Sequence, residues 1–175
     1  VAVPGIGGRL TARASLVNLE TGEISQSVAN ARRFGAAPLV LGTNATAGQV
    51  RAATATDTSV SGYTLGVAYA RDWLSMDIGT TPIGFLIENT VGGIEIAPQI
   101  SEGVRLRLIG ERRAVTESML SWGGRYDPTS GTNWGGVTRT GGRAQLEFQS
   151  GQTSFYIAGG YYQFDGTRVA DNNRI

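Results

Sequence analysis

Apolar and polar positions alternate at a spacing of two along most of the chain. In Val104–Arg113 the side chains of Val104, Leu106 and Leu108 fall opposite Arg105, Arg107, Glu111 and Arg113, because successive strand side chains point to opposite faces. In Arg143–Phe148, Ala144, Leu146 and Phe148 oppose Arg143, Gln145 and Glu147 in the same way. Gly8–Val17 sets Leu10, Ala12, Ala14 and Leu16 against Arg9, Thr11, Arg13 and Ser15. Gly62–Tyr69 and Leu74–Gly79 read as a hairpin, and Val91–Ala97 as a further strand. Thr153–Phe164 is a last full strand, but Phe155–Phe164 is apolar or aromatic on both parities. Tyr156, Tyr161 and Tyr162 therefore receive no face. The pattern predicts about seven strands, with no eighth before Ile175.

The connections add a second regularity. Those near 70–72, 98–103 and 149–152 are short, whereas those near 18–59, 80–89 and 114–136, and the one after Phe164, are long. Short and long alternate, so an up-and-down meander collects the short turns at one end and the long loops at the other. Outer-membrane barrels have this arrangement, with short periplasmic turns and long external loops. A Greek-key sandwich is not expected to sort its loops in this way. Strands of about ten residues match a tilted bilayer crossing. The fold class expected is all-β, an antiparallel up-and-down transmembrane β-barrel. Seven strands cannot close an even-numbered barrel, so residues 1–175 are expected to be a partial barrel domain, half of something larger.

Composition narrows the chemistry. The 175 residues include 26 Gly, 17% are charged and 41% hydrophobic. No apolar run approaches the roughly 20 residues of a helical membrane span. A net charge of +1 supplies no field for nucleic acid. Cys and His are absent, which removes disulfides, Cys-His and Ser-His nucleophile pairs and the usual zinc ligands. All fifteen basic residues are Arg. Codon bias is one reading of that, and the superior pairing and stacking of guanidinium is the other. The N-terminus shows no signal-peptide pattern. No 34-residue helical repeat is visible.

Five separated motifs carry a resemblance: Gly110–Ser121, Trp134–Gly142, Asp77–Phe85, Val91–Pro98 and Val169–Ile175. Taken in their order along the chain, they resemble the C-terminal domain of cellulose synthase operon protein C, the outer-membrane export channel family of bacterial cellulose secretion. The likeness runs from about Gly8 to the last residue. It implies a sixteen-stranded barrel of which this is the N-terminal half, preceded by a helical-repeat periplasmic region. It also implies as partners a cellulose or related glucan chain, outer-membrane lipid, and the periplasmic and inner-membrane cellulose synthase subunits. The implied location is the bacterial outer membrane.

A cellulose ribbon has apolar ring faces and hydroxyl edges, so a conduit needs aromatic planes and polar groups whose individual contacts are weak. Arg105, Arg107, Glu111, Arg113, Arg139, Arg143, Gln145 and Glu147 are the candidate edge groups. Trp122, Tyr126 and Trp134, in the intervening loop, are the candidate ring planes. The plainer alternative is an ion-pair lattice holding the wall, with loop aromatics packing the loop or joining the interfacial girdle. Tyr63 and Tyr69, at the ends of an apolar row, suit that girdle.

Glu111 and Glu147 could form a glycosidase pair, but each has Arg close by, which favours a salt-bridged wall. Asp171–Asn173 lacks the spaced ligands of a calcium loop. Gly5–Gly8 and Gly159–Gly160 precede no helix that would bind phosphate. Arg32–Gly35 is the only cluster with binding chemistry in the first loop. No cofactor, metal or catalytic residue is expected. The function expected is export of a β-glucan through a passive channel. A soluble or surface all-β carbohydrate-binding or adhesin module is the second reading, and a polysaccharide-cleaving enzyme the third.

Overall fold

A computed structural model of the chain describes residues 7–20, 22, 25, 27–29, 44–54, 59–127 and 130–175. Its strands are β1 (Arg9–Glu20), β2 (Ser59–Arg71), β3 (Leu74–Thr80), β4 (Thr90–Ile96), β5 (Gln99–Ser101), β6 (Val104–Ala114), β7 (Arg125–Asp127), β8 (Thr132–Ser150), β9 (Thr153–Thr167) and β10 (Val169–Arg174). Among the described residues the connections include the helices α1 (Ala47–Thr54) and α2 (Met119–Gly123). The sheet order is β1-β2-β3-β4-β6-β8-β9-β10, with β5 on β6 and β7 on β8. All strand pairs are antiparallel, so the fold is an all-β meander. Its two edges, β1 and β10, do not pair with each other among the described residues.

Tight turns at Asp72–Trp73, Glu102–Gly103 and Gly151–Gln152 lie at one end. Gly103 (φ 69°) and Gly151 (φ 58°) supply the left-handed backbone that two of these turns require. The strand ends that lead from β1 to β2, from β3 to β4 and from β6 to β8 lie at the other end. Arg32–Gly35 lies outside the described residues.

Two expectations need correction. The connection after Phe164 is short, because β9 continues to Thr167 and turns at Arg168 (φ 55°) directly into β10, an eighth meander strand. Asp165–Gly166 looks like a turn signal, but it is overridden by an extended partner. β8 begins at Thr132, so Asp165 pairs with Thr138 and Thr167 with Gly135. Trp134 accordingly lies within β8 and not in a loop.

The registers give the sheet two unlike faces. Tyr63, Leu65, Val67 and Tyr69 of β2 are level with Leu16, Ala14, Ala12 and Leu10 of β1 on one side. On the other side, Val67 and Tyr69 meet Ile78 and Met76 of β3. Ile94 and Ile96 of β4, Leu106 and Leu108 of β6, Leu146 and Phe148 of β8, and Phe155, Ile157 and Tyr161 of β9 continue that apolar face. This face is uncovered: Leu16 is 88% exposed, Ile78 62% and Ile157 69%. Among the described residues the buried hydrophobic side chains are only Val50, Phe85 and Ala97. Soluble monomers rarely leave an apolar patch this extensive in water. No described helix is long and apolar enough to cross a membrane, a fact that says nothing about strands.

Phe85 marks a packed cluster at the long-loop end. The segment 81–89 closes on itself through Thr81 N–H donating to Asn89 O (2.8 Å) and Asn89 N–H donating to Thr81 Oγ1 (2.7 Å). Its Pro82 and Phe85 lie over Gly62, on the face opposite to Tyr63. α2 starts at a reciprocal cap in which Ser118 and Ser121 bond each other's backbone N–H. It brings Trp122 edge-on to Phe85 at 5.7 Å between ring centroids.

Candidate functional site

The second face of the sheet is polar, and β6 and β8 are its centre. Their register sets Arg105 opposite Glu147, Arg107 opposite Gln145, Ile109 opposite Arg143, Glu111 opposite Gly141, and Arg113 opposite Arg139. Paired residues of an antiparallel ladder share a face, so all eight polar candidates stand together. Ile109 is the one apolar interruption in that row of β6.

Flanking strands extend the same face. β1 contributes Arg9 and Arg13, β3 contributes Asp77 and β4 contributes Glu95. β9 contributes Tyr156, Tyr162 and Phe164, opposite Glu147, Gly141 and Arg139. β10 adds Asn172 and Arg174 beside Phe164 and Tyr162.

Two belts of contacts run across the strands. In the first, the Arg113 guanidinium grips Asp77 with both terminal nitrogens, at 2.5 and 2.7 Å, and its Nε donates to Glu111 at 3.3 Å. Arg113 must cross β4 to reach β3, and the residue it crosses is Gly93. A Cβ there would stand 2.9 Å from Arg113 Nη2, so the missing side chain clears the route. Glu111 also accepts from Arg139 Nη2 at 2.7 Å, and the Arg139 guanidinium lies 4.8 Å from the Tyr162 ring centroid.

In the second belt Arg107 bridges Glu95 on β4 and Glu147 on β8, the latter at 2.7 Å through Nε. Gln145 Nε2 donates to the same Glu147 oxygen at 2.8 Å. These side chains are between 15% and 41% exposed. Each pair is therefore worth about 0–1 kcal/mol, and the belts fix the side chains' directions more than they stabilise the fold.

All four carboxylates of this face, Asp77, Glu95, Glu111 and Glu147, are engaged by arginine. Arg9, Arg13, Arg105, Arg143 and Arg174 form no ion pair among the described residues. At the short-turn end a cleft of about 780 Å³ is lined by Arg105, Gln145, Glu147 and Tyr156 among others. The arrangement offers guanidinium and carboxamide donors, carboxylate acceptors and tyrosine planes, which suits the hydroxyl edges and ring faces of a sugar polymer. No group of three or more His, Cys, Asp or Glu that could hold a metal ion occurs among the described residues.

The contacts of the three loop aromatics are made outside this array. Trp122 packs on Phe85, and Tyr126 lies on β7 opposite Asn133. Trp134 pairs with Arg125, and its indole N–H donates to Thr132 Oγ1 at 3.0 Å. The tyrosines that do share the charged face, Tyr156 and Tyr162, had no face on sequence alone. The Gly151–Gln152 turn carried the missing signal, since counting back equally from Ser150 and Thr153 sets Tyr156 against Glu147 and Tyr162 against Gly141.

A family model described as the C-terminus of cellulose synthase operon protein C matches residues 1–175. Cellulose synthase operon protein C of Komagataeibacter xylinus is 35% identical over 170 residues, which cover 95% of this chain and 13% of that protein. Cellulose synthase 2 operon protein C of the same organism is 43% identical over 114 residues, 63% of this chain and 9% of the relative. The cellulose synthase operon protein C of Xanthomonas axonopodis pv. citri is 36% identical over 113 residues, 65% and 8% respectively. The chain thus spans between 8% and 13% of the length of these curated relatives.

Proposed function

The chain belongs to the cellulose synthase operon protein C C-terminal family, and from that membership and the two-faced sheet we propose that it is wall of an outer-membrane β-barrel that exports cellulose or a related β-glucan. The observation that carries this reading is the uncovered apolar face backing onto a charged one. Leu65, Ile78 and Ile157 are the lipid-facing surface, and the belts from Asp77 to Tyr162 and from Glu95 to Glu147 line the aqueous bore. The polymer slides past guanidinium and tyrosine groups that are individually weak partners, so no contact traps it. Export is passive, and polymer synthesis at the inner membrane supplies the force. Glu111 and Glu147 are both held by arginine, which supports their role as wall residues over a role as a hydrolytic acid and base.

The test is conductance of the full-length protein in planar bilayers with cello-oligosaccharides added. Arg105→Glu combined with Arg143→Glu should change conductance or oligosaccharide block while membrane insertion is retained. Loss of insertion instead, or insertion with unchanged conductance and block, would place those rows away from the bore.

A further inference from the structure

The proposed bore has a charge imbalance that pairing does not remove. On the charged face the described strands place eight arginines, Arg9, Arg13, Arg105, Arg107, Arg113, Arg139, Arg143 and Arg174, against four carboxylates. Every one of the four carboxylates is committed to an arginine, as the two belts require. The described strands thus place four more arginines than carboxylates on this face, and its surplus charge is positive. Arg105 and Arg143 are exposed on neighbouring central strands, and Arg105 stands in the cleft beside Tyr156 at the short-turn end. In register Glu147 lies between Tyr156 and Arg105, so a ring stacked on Tyr156 would present its substituents to Glu147 and, beyond it, to Arg105. The acid nearest in register, Glu147, is already held by Arg107 and Gln145.

We infer that this surface selects for negative charge: the polymer it passes is a glucan bearing acidic substituents, carboxylate or phosphate, and amine-bearing glucans are disfavoured. The inference rests on the reading of this face as the bore. Guanidinium suits such groups because its planar fork meets carboxylate and phosphate oxygens two at a time. A purely neutral ribbon needs only hydroxyl donors and acceptors in balance, and the wall's spare groups are not in balance. The two belts hold each of the four carboxylates on another arginine, so Arg105, which stands opposite Glu147, forms no ion pair with it.

The experiment uses the full-length protein in planar bilayers and three probes of equal length: unmodified cello-oligosaccharide, its C6-carboxylated form and its C6-aminated form. At low salt the carboxylated probe should block at a concentration about fivefold below the neutral one, the size expected of one or two partly exposed charge contacts. The aminated probe should be weakest. The order should collapse near 1 M salt, where the screening length falls to about 3 Å. Arg105→Gln with Arg143→Gln should bring the three probes together, with insertion checked by heat-modifiable gel mobility. A salt gradient across wild-type channels, which needs no variant, should give an anion-selective reversal potential. Block by the neutral probe with no preference for the carboxylated one, or a cation-selective potential, overturns this inference and leaves the channel reading standing. Absence of block by any probe overturns the channel reading itself.

Discussion

Replacing Ile78 by Arg separates a lipid-facing sheet from a water-facing one. Ile78 pairs with Val67 on β2 and Gly92 on β4, and it lies between the levels of Tyr69 and Tyr63 on the apolar face. Those tyrosines are six residues apart, so they bracket about 20 Å of strand, most of the apolar band of about 25 Å that a barrel presents to lipid. In the proposed barrel Ile78 is therefore near the centre of that band, and 62% of its surface is uncovered. An arginine facing lipid at the midplane costs about 2–4 kcal/mol, a fall of roughly 30- to 700-fold in the folded-to-unfolded ratio. If the same face met water, substitution at so exposed a position would change stability by only about 0.5 kcal/mol. The control is Ser75→Arg, two positions away from Asp77 on the charged face and opposite Glu95, for which a change of at most about 0.5 kcal/mol is expected. Both variants of the full-length protein would be refolded into phospholipid vesicles across a urea series and read by heat-modifiable gel mobility. Normal insertion of Ile78→Arg together with failure of Ser75→Arg would refute the assignment of faces.

Three further outcomes follow from the geometry. A double-mutant cycle of Asp77→Asn and Arg113→Gln, read by urea titration, should return a coupling of about 1 kcal/mol, the upper range for partly exposed pairs. Gly141→Val should destabilise by about 2 kcal/mol in the same titration, because its Cβ would stand 2.1 Å from Tyr161 O and 2.8 Å from Tyr162 Cα. Phe85→Ala should cost about 3 kcal/mol and expose Trp122, seen as a red shift of its fluorescence and as faster proteolysis within 115–131.

The faces were legible in the sequence wherever alternation was clean. Arg105, Arg107, Glu111 and Arg113 against Leu106 and Leu108 needed only the period of two, and the ladder between β6 and β8 keeps that phase over eleven pairs. Where both parities are apolar, as in Phe155–Phe164, the period says nothing, and only the β8–β9 register distinguishes Tyr156 and Tyr162 from Phe155 and Tyr161. The partners of the arginines were harder to read for a different reason. Arg113 reaches Asp77 across an intervening strand, through room left by Gly93. That contact depends on what is missing from β4 and on strand order, neither of which local pattern contains. The eighth strand was hidden because Arg168 takes a left-handed conformation that sequence ordinarily signals with glycine. The packing partner of Trp122 was not legible, because a Trp in a loop advertises a ring plane without saying what it meets, and here it meets Phe85 edge-on.

The most direct test is a cysteine scan of β2 from Tyr63 to Arg71 in the membrane-inserted full-length protein, one position at a time, with a nitroxide attached to each. This chain has no cysteine of its own to interfere. Collision with dissolved oxygen, which concentrates in lipid, should peak at 63, 65, 67 and 69. Collision with a water-soluble nickel chelate should peak at 64, 66, 68 and 70. Two accessibilities that rise and fall together, or the opposite phase, would contradict the claim that hydrocarbon and water lie on opposite sides of this sheet.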